Sequence, residues 1–298
     1  MAGITYSVNE GTNKEGQETY ELSVPVSHIM KPGMYTLGYN RQSGLAQFIG
    51  TKLSDERLID IGGVGHTIAS EMSNFLKGKE SFVKAGLPHK RGYLMHGAPG
   101  CGKSCSIRLI AAEFMKAEPS GFVFFWPVNG NRLNVDAYYT LIRKACPDSP
   151  MLFIVEDIDT GITYFEQGML NFLDGHERID GVILLATTNY LEQVPDRLKA
   201  RPSRIDRCIE VGMPSSRERA AYLKSFGTDE ETIEQLVRMS DGLSFAHLKE
   251  LYVSTVLLGY KPAEAKKLLR LPNPEEEAKY KHRKPIRIGE DDPEEQYD

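Results

Sequence analysis

The hydrophobic positions follow two patterns over the first two thirds of the chain. Short apolar runs predict five buried strands, near residues 92–96, 121–126, 151–155, 182–186 and 208–211. Between them, apolar residues recur at intervals of three and four, which predicts helices near residues 66–77, around residues 107–114 and near residues 135–145. Strands that are apolar throughout and alternate with helices are typical of a parallel sheet covered on both faces.

Both ends of the chain depart from this pattern. Residues 1–20 are polar, and we expect this end to be loose. Residues 35–39 and 45–49 flank a polar turn and predict a β-hairpin, which is either a small element for substrate or subunit contact or an extra edge of the main sheet. After Pro214, helical patterns near residues 215–226, 229–239, 244–259 and 262–270 predict a second, all-helical domain.

These patterns divide the chain into four parts. We predict an N-terminal β-rich element at residues 1–55, an α/β core at 56–213, a helical lid at 214–270 and a tail at 271–298. The tail holds nine acidic residues, five basic residues and four prolines, so we expect it to be mostly disordered.

Composition narrows the class of protein. The 298 residues are 41% hydrophobic and 26% charged, as in soluble globular chains, and the net charge of −5 argues against a dedicated nucleic-acid binder. Because the sequence has no long apolar run and no leader-like start, we expect no membrane partner. The cysteines lack metal-ligand or redox spacing, which favours free thiols in the cytoplasm; they are Cys101, Cys105, Cys146 and Cys208.

Residues 97–104 satisfy the pattern G-x-x-x-x-G-K-[ST] and lie between a predicted strand and a predicted helix. Glycines let successive backbone amides turn inward, and the positive end of the helix dipole adds to them. Lys103 can then reach the β- and γ-phosphates of a nucleotide, and Ser104 can ligate Mg²⁺. An ordinary glycine-rich turn is the weaker alternative, because all eight positions and both flanks agree with a phosphate loop. The predicted phosphate-binding residues are Gly97, Ala98, Pro99, Gly100, Cys101, Gly102, Lys103, Ser104 and Cys105.

Polar residues follow the third and fourth predicted strands. Glu156 and Asp157 end the third strand, where a phosphate-loop enzyme holds Mg²⁺ and polarises water. Two adjacent carboxylates cannot point the same way, so one would face the metal and the other the γ-phosphate, unless both merely cap the strand in solvent. Asn189 follows the fourth strand and could bind the γ-phosphate and the attacking water, although an asparagine there is often only part of a turn.

Two arginines precede the fifth predicted strand. A neighbouring subunit can supply an arginine to a phosphoryl transition state, and Arg204 and Arg207 are candidates for that role. Local ion pairs with Asp206 and Glu210 are the simpler interpretation of either arginine taken alone.

In order and spacing, these segments together resemble the AAA family of ATPases over about residues 56–260. The resemblance identifies residues 97–104 with Walker A, 154–159 with Walker B, Asn189 with sensor 1 and residues 242–248 with the sensor-2 turn. It also implies that Arg204 and Arg207 are arginine fingers. Residues 60–63 are similar to the segment that folds over adenine, with Ile61, Gly62 and Gly63 as the predicted binding residues. The fold that it implies is α/β: a P-loop NTPase core with a parallel five-stranded sheet, followed by a small all-helical AAA lid and preceded here by the hairpin. The ligands that it implies are ATP and Mg²⁺.

Within the family, residues 88–94, 156–159, 170–175 and 187–189 are similar to the group that contains the mitochondrial Rieske-protein translocase. That likeness implies a homo-oligomeric ring, hexameric or heptameric, with ATP at each subunit boundary. The translocase's membrane anchor has no counterpart in this sequence, so its substrate and location do not carry over.

Two further departures bear on mechanism. Most AAA members read Asp-Glu where this chain has Glu156-Asp157. By position Glu156 would hold the metal with Ser104, and Asp157 would act on water with a side chain one carbon shorter, so the assignment within the pair stays open. Residues 129–134 lack the aromatic-apolar-glycine grip of threading unfoldases, and we expect Tyr138 and Tyr139 to pack on the sheet instead.

The predicted function is that of an ATP-hydrolysing AAA ring that remodels a protein partner. One alternative is a nucleic-acid-handling AAA loader or regulator, supported by the basic run at residues 279–287 between acidic blocks. Another is a nucleotide-gated binding module with little turnover, suggested by the shorter carboxylate of Asp157.

Overall fold

The structure is a computed structural model, and the residues that it describes are 7–12, 18–23, 30–40, 45–53, 59–127, 135–160, 172–173, 180–199, 201 and 204–269. The predicted tail at residues 271–298 and the loop at residues 129–134 lie outside the described residues.

Strands in the described residues form one nine-stranded sheet. In chain order they are β1 (Ser7–Thr12), β2 (Glu18–Ser23), β3 (Gly33–Asn40), β4 (Leu45–Gly50), β5 (Lys90–His96), β6 (Phe122–Phe125), β7 (Met151–Val155), β8 (Val182–Thr188) and β9 (Arg207–Glu210). Their order across the sheet is β1-β2-β4-β3-β6-β7-β8-β5-β9. The last five are mutually parallel, which confirms the predicted five-stranded parallel core.

The N-terminal strands extend this core sheet. The predicted hairpin forms as β3 and β4, and β3 pairs in parallel with β6, with Gly33 opposite Phe122. Of the two roles left open by the sequence, the extra sheet edge is therefore the observed one. Strands β1 and β2 form a second hairpin that joins β4, so the expectation of a loose segment is wrong for residues 7–12 and 18–20. Backbone pairing at a sheet edge does not need the apolar alternation that these residues lack.

Helices cover the core sheet and build the lid. They are α1 (Val64–Lys77), α2 (Lys79–Lys84), α3 (Lys103–Ala117), α4 (Val135–Ala145), α5 (Asp196–Lys199), α6 (Ser216–Lys224), α7 (Glu230–Met239), α8 (Phe245–Tyr252) and α9 (Pro262–Leu268). A π-helical turn, Val253–Leu257, continues α8. Among the described helices, none is both long enough and apolar enough to cross a bilayer.

Alternate residues of the central strands bury their side chains on opposite faces of the sheet. On β7, Phe153 packs with Phe124 and Leu184 on one face. Leu152 and Ile154 pack on the other face with residues of α1 and α3. The lid has a separate core, formed by Leu223, Ile233, Leu236, Leu243, Leu248, Leu251 and Ala265. The fold class predicted from the sequence is confirmed.

Helix α4 is fixed to the sheet by aromatic and arginine side chains. Tyr138 and Tyr139 are 3% and 2% exposed, so they pack on the sheet as predicted. Arg143 is half-buried and joins two backbone segments: its Nη1 donates to the carbonyl oxygens of Pro147 (2.8 Å) and Ser149 (2.9 Å), and its Nη2 donates to that of Asp180 (2.6 Å). One guanidinium thus connects the segment before β7 to the segment before β8.

We expect Arg143→Met to lower the free energy of unfolding by about 2 kcal/mol, because it leaves three carbonyls without their donor. Urea unfolding followed by circular dichroism measures the change. Arg238→Met is the matched control: its ion pair with Glu234 is exposed, with side-chain exposures of 78% and 67%, so we expect a loss below about 0.5 kcal/mol. Equal effects of the two variants would contradict the role given to Arg143.

Candidate functional site

Strand register brings the predicted site residues to one edge of the sheet. His96 at the end of β5 lies opposite Thr188 of β8, and Val155 at the end of β7 lies opposite Ala186. The phosphate-loop sequence, the pair Glu156-Asp157 and Asn189 therefore begin side by side. This carboxyl edge, where the strand order reverses around β5, is where open α/β sheets bind ligands.

The loop at residues 97–102 has the backbone that its glycines predict. Gly97, Gly100 and Gly102 have φ angles of +151°, +77° and +102°, which side chains rarely allow. A Cβ on Gly97 would lie 2.1 Å from the carbonyl oxygen of Val211, so this position also requires glycine on steric grounds. The loop ends at the first residue of α3, as a phosphate cradle requires.

Lys103 is folded into this loop. It is 6% exposed, and its Nζ donates to the carbonyl oxygens of Gly97 (2.6 Å) and Ala98 (3.0 Å). Burial lowers the pKa of Lys103, while the neighbouring Cys101, Asp157 and Asp159 act in the opposite direction. The ammonium group is therefore held inside the loop, where the phosphate of a bound nucleotide would supply it with an anionic partner.

The two adjacent carboxylates point to different partners, as the sequence reasoning requires. Ser104 Oγ donates to Glu156 Oε2 over 2.7 Å. Asn189 Nδ2 donates to Asp157 Oδ1 over 3.0 Å. The hydroxyl and carboxylate oxygens of Ser104 and Glu156 are ligands that suit Mg²⁺, so this pair fits the predicted metal position.

Asp157 has a strained backbone. Its φ of +49° is the one positive φ at a non-glycine residue in the described part of the chain. Its amide donates to the buried Thr187 Oγ1 over 3.1 Å, which together with Asn189 fixes the residue from both sides. Strain of this kind costs about 1–3 kcal/mol and clusters at functional sites.

Asp159 is a site residue whose role the sequence reasoning missed. Its Oδ1 accepts hydrogen bonds from Thr188 Oγ1 (2.5 Å) and from the amide of Asn189 (3.3 Å). It thus ties the residues after β7 to the end of β8 and orients Asn189. Its position two residues after Asp157 was visible, but its partner could not be read from the sequence.

A cavity of about 830 Å³ lies between the core and the lid. Residues of the phosphate loop, Asp157 and Asn189 line it, and so do residues 59–62 and residues of the lid. Ile61 and Gly62, which are predicted to lie over a base, are among these lining residues. Asp60 is tied to the start of α1, because its two oxygens accept from the amides of Gly65 (3.4 Å) and His66 (2.8 Å).

The predicted loop cysteines and Gly63 take different positions around this cavity. Cys101 is buried with its Sγ 3.6 Å from Met213 Sδ, and burial raises the pKa of its thiol. Cys105 lines the cavity and its Sγ lies 3.6 Å from the carbonyl oxygen of Ile59. Gly63, with φ of +67°, is the N-cap of α1 and does not line the cavity.

The lid docks directly on the phosphate loop. The amide of Ala246, in the first turn of α8, donates to the carbonyl oxygen of Gly100 over 3.2 Å. Ser244 caps α8 by accepting from the amide of His247 (3.4 Å). A Cβ on Gly100 would lie 2.7 Å from both Ser244 Oγ and Ala246 Cβ, so glycine permits this approach. The sensor-2 turn predicted at residues 242–248 therefore forms part of the cavity wall.

The two predicted finger arginines lie away from this cavity and differ from each other. Arg204 is 6% exposed, and its guanidinium donates to the carbonyl oxygen of Arg197. Arg207 is half-exposed at the start of β9 and pairs with Glu71 over 2.8 Å. Neither lines the cavity of its own subunit. The local partners suggested by the sequence, Asp206 and Glu210, do not pair with Arg207.

Several cavity residues were missed by the sequence reasoning. They come from α3, from the core–lid connection and from the lid: Arg108, Met213, Glu218, Tyr222, Ser225, Phe226 and Lys249. Only Glu218 had a readable signal, since Ser215 and Glu218 form the S-x-x-E pattern of a capping box. The others depend on how the lid sits over the core.

Comparison with known proteins gives one family. Residues 93–213 match the sequence profile of the ATPase family associated with various cellular activities (AAA). The chain is 28% identical to the ATP-dependent zinc metalloprotease FtsH of Ureaplasma parvum over 69% of this chain and 31% of that protein. It is 27% identical to the probable mitochondrial chaperone BCS1-B of Dictyostelium discoideum over 62% of this chain and 47% of that protein. It is 31% identical to the proteasome-activating nucleotidase of Aeropyrum pernix over 65% of this chain and 53% of that protein. These matches span roughly a third to a half of the relatives' length.

We expect Gly100→Ala to push the lid off the phosphate loop and to weaken nucleotide binding about tenfold or more. Faster hydrogen exchange of the Ala246 amide would report the lost docking. Gly86→Ala is the matched control: its φ of +70° imposes similar strain, but nothing lies within 4 Å of the added Cβ. It should lose only about 1 kcal/mol of stability and keep nucleotide affinity. Unchanged affinity and exchange in Gly100→Ala would contradict the docked lid.

Proposed function

Because the chain belongs to the AAA family of ATPases, we propose that it binds ATP with Mg²⁺ between its core and its lid and hydrolyses the γ-phosphate. The observation that carries this proposal is that Lys103, Ser104, Asp157 and Asn189 line a single cavity, while Glu156 accepts the hydrogen bond of Ser104 beside it and Asn189 donates to Asp157. At about 830 Å³, the cavity has room for a nucleoside triphosphate.

The roles of these residues follow from their chemistry. Lys103 and the loop amides bind the β- and γ-phosphates, and binding exchanges the carbonyl partners of Lys103 for anionic oxygens. Ser104 and Glu156 would hold Mg²⁺, which neutralises charge on the phosphates when bound. Asp157 accepts the proton of the attacking water, and Asn189 fixes the direction of that carboxylate. Asp159 keeps Asn189 in place.

We also propose that neighbouring subunits complete each site in a homo-oligomeric ring of six or seven copies. The support is that Arg207 lies outside the cavity of its own subunit and is half-exposed on the edge strand β9. Arg204 also lies outside that cavity, but it is buried within its own subunit and would have to leave the carbonyl oxygen of Arg197 to reach a neighbour. A head-to-tail contact of this kind closes into a ring when the rotation fits. In such a ring the arginines would stabilise the charge of the transferring phosphoryl group of the next subunit.

Remodelling of a protein partner is the activity that we propose for the ring. The support is that the chain is similar to proteins named as a probable mitochondrial chaperone and a proteasome-activating nucleotidase. The four cysteines are free thiols, which favours a reducing compartment, and we propose the cytoplasm.

Lys103→Ala removes the buried cation of the loop. It should therefore abolish ATP binding, with a loss in affinity of about two orders of magnitude or more. Asp157→Asn should keep ATP affinity and lose most turnover, because the amide cannot accept a proton. Fluorescent-nucleotide titration and phosphate release measure the two quantities. Lys116→Ala, at an exposed lysine paired with Glu113, is the control and should change neither. Full-affinity binding by Lys103→Ala would contradict the assignment.

Arg204→Ala and Arg207→Ala should each keep ATP affinity and lose turnover, because each acts on the neighbour's site. Mixing either variant with Asp157→Asn subunits should restore part of the activity at mixed boundaries. There the Asp157→Asn subunit supplies intact arginines to a site whose own carboxylate is intact. If mixed rings form and no mixing ratio restores turnover, the arginines do not act between subunits.

A further inference from the structure

Glu218 is held rigidly by one of its two carboxylate oxygens. It is the third residue of α6, and its Oε2 accepts from the amide of Ser215 (2.7 Å) and from Ser215 Oγ (2.6 Å). The amide of Glu218 donates back to Ser215 Oγ over 3.3 Å, which completes a capping box. The direction of the second oxygen is therefore set by the cap.

That second oxygen, Oε1, lies beside the segment predicted to contact the base. A Cβ on Gly62 would be 3.3 Å from Glu218 Oε1, and both residues line the cavity. Across the part of the chain that the structure describes, Oε1 has no hydrogen-bond or ion-pair partner. A fixed acceptor with an open lone pair thus faces the cavity at this point.

The surroundings of this oxygen suit a planar base better than a sugar. Ile61, Met213, Tyr222 and Phe226 line the same cavity, and the centroids of the Tyr222 and Phe226 rings are 4.9 Å apart. Two other carboxylates, Asp60 and Glu210, also line it, and each Asp60 oxygen already accepts one backbone amide at the start of α1. Glu218 is the carboxylate whose oxygen lies beside Gly62, so it offers an acceptor next to the segment predicted to contact the base.

We propose that Glu218 Oε1 accepts a hydrogen bond from the exocyclic amine of adenine and so selects adenine over guanine. This specificity assignment rests on the proposed ATP function. A carboxylate is an acceptor only, while guanine presents a carbonyl oxygen where adenine presents its amine. Two acceptors that face each other cannot pair, so guanine loses the hydrogen bond that adenine makes, which is the kind of mismatch that gives discrimination.

The test compares nucleotides that differ at one group. We expect the wild-type protein to bind ATP about 10-fold to 100-fold more tightly than purine riboside triphosphate, which lacks the amine, and to bind GTP more weakly still. In Glu218→Ala the ATP and purine riboside triphosphate affinities should agree within about threefold, because the partner of the amine is gone. Competition against a fluorescent nucleotide measures all these affinities with Mg²⁺ present.

Glu218→Gln makes a sharper comparison, since glutamine keeps the capping box. The amide of Ser215 needs an acceptor, so the glutamine oxygen takes the place of Oε2 and its NH₂ group replaces Oε1. This variant should favour GTP relative to ATP compared with the wild type. Glu230→Gln, an acid-to-amide change at an exposed residue paired with Lys224 in the same lid, is the matched control and should keep the wild-type ratios.

The outcomes separate this assignment from the proposed function. Equal wild-type affinity for ATP and purine riboside triphosphate would overturn the assignment without any variant. A second outcome would show that Glu218 contacts the ribose and would overturn the assignment. In it, the Glu218 variants change the preference for ATP over 2′-deoxy-ATP and leave the preference for ATP over purine riboside triphosphate unchanged. No binding of any triphosphate by the wild-type protein would instead overturn the proposed function. If Glu218→Gln does not fold, the wild-type comparison of ATP with purine riboside triphosphate and the same comparison in Glu218→Ala still decide the assignment.

Discussion

The parallel pairing of β5 with β8 is the constraint on which the site depends. It runs over seven residue pairs, from Lys90 opposite Val182 to His96 opposite Thr188. Each side chain of β8 is buried, so a register shift by one residue would exchange its two apolar faces and misplace the end of the strand. With this register fixed, the phosphate loop and Asn189 follow directly after paired residues at the same edge of the sheet. The β7–β8 pairing then brings Glu156 and Asp157 to the same edge.

The sequence predicted the parts of the structure that depend on local pattern. The uninterrupted apolar run of residues 151–155 predicted both ends of β7 correctly. The glycines, lysine and serine of residues 97–104 predicted the phosphate loop. Both signals are local: burial on two faces leaves no polar position in a strand, and a positive φ needs glycine. The division between Glu156 and Asp157 followed from the alternation of side chains at a strand end.

Long-range contacts were not predictable in the same way. The polar composition of residues 7–12 gave no sign that they pair with residues 18–23, because an edge hairpin is held by backbone bonds. Nothing around Arg204 in the sequence indicated that its side chain is buried against the carbonyl oxygen of Arg197. The contribution of the lid to the cavity, including Glu218 and Tyr222, depends on the docking of Ala246 on Gly100, which joins residues far apart in the chain.

The pairing of β3 with β6 has a mechanical consequence. The sheet places only β6 between β3 and β7, and β7 ends at Glu156. Parallel strands that are hydrogen-bonded along their length slide past one another only if several bonds break together, so they transmit tension as a stiff plate. The N-terminal strands are therefore joined to the strand that ends at Glu156 through two continuous ladders of backbone hydrogen bonds. Within the described sheet, a displacement of the N-terminal hairpins relative to β7 requires those ladders to break or to bend.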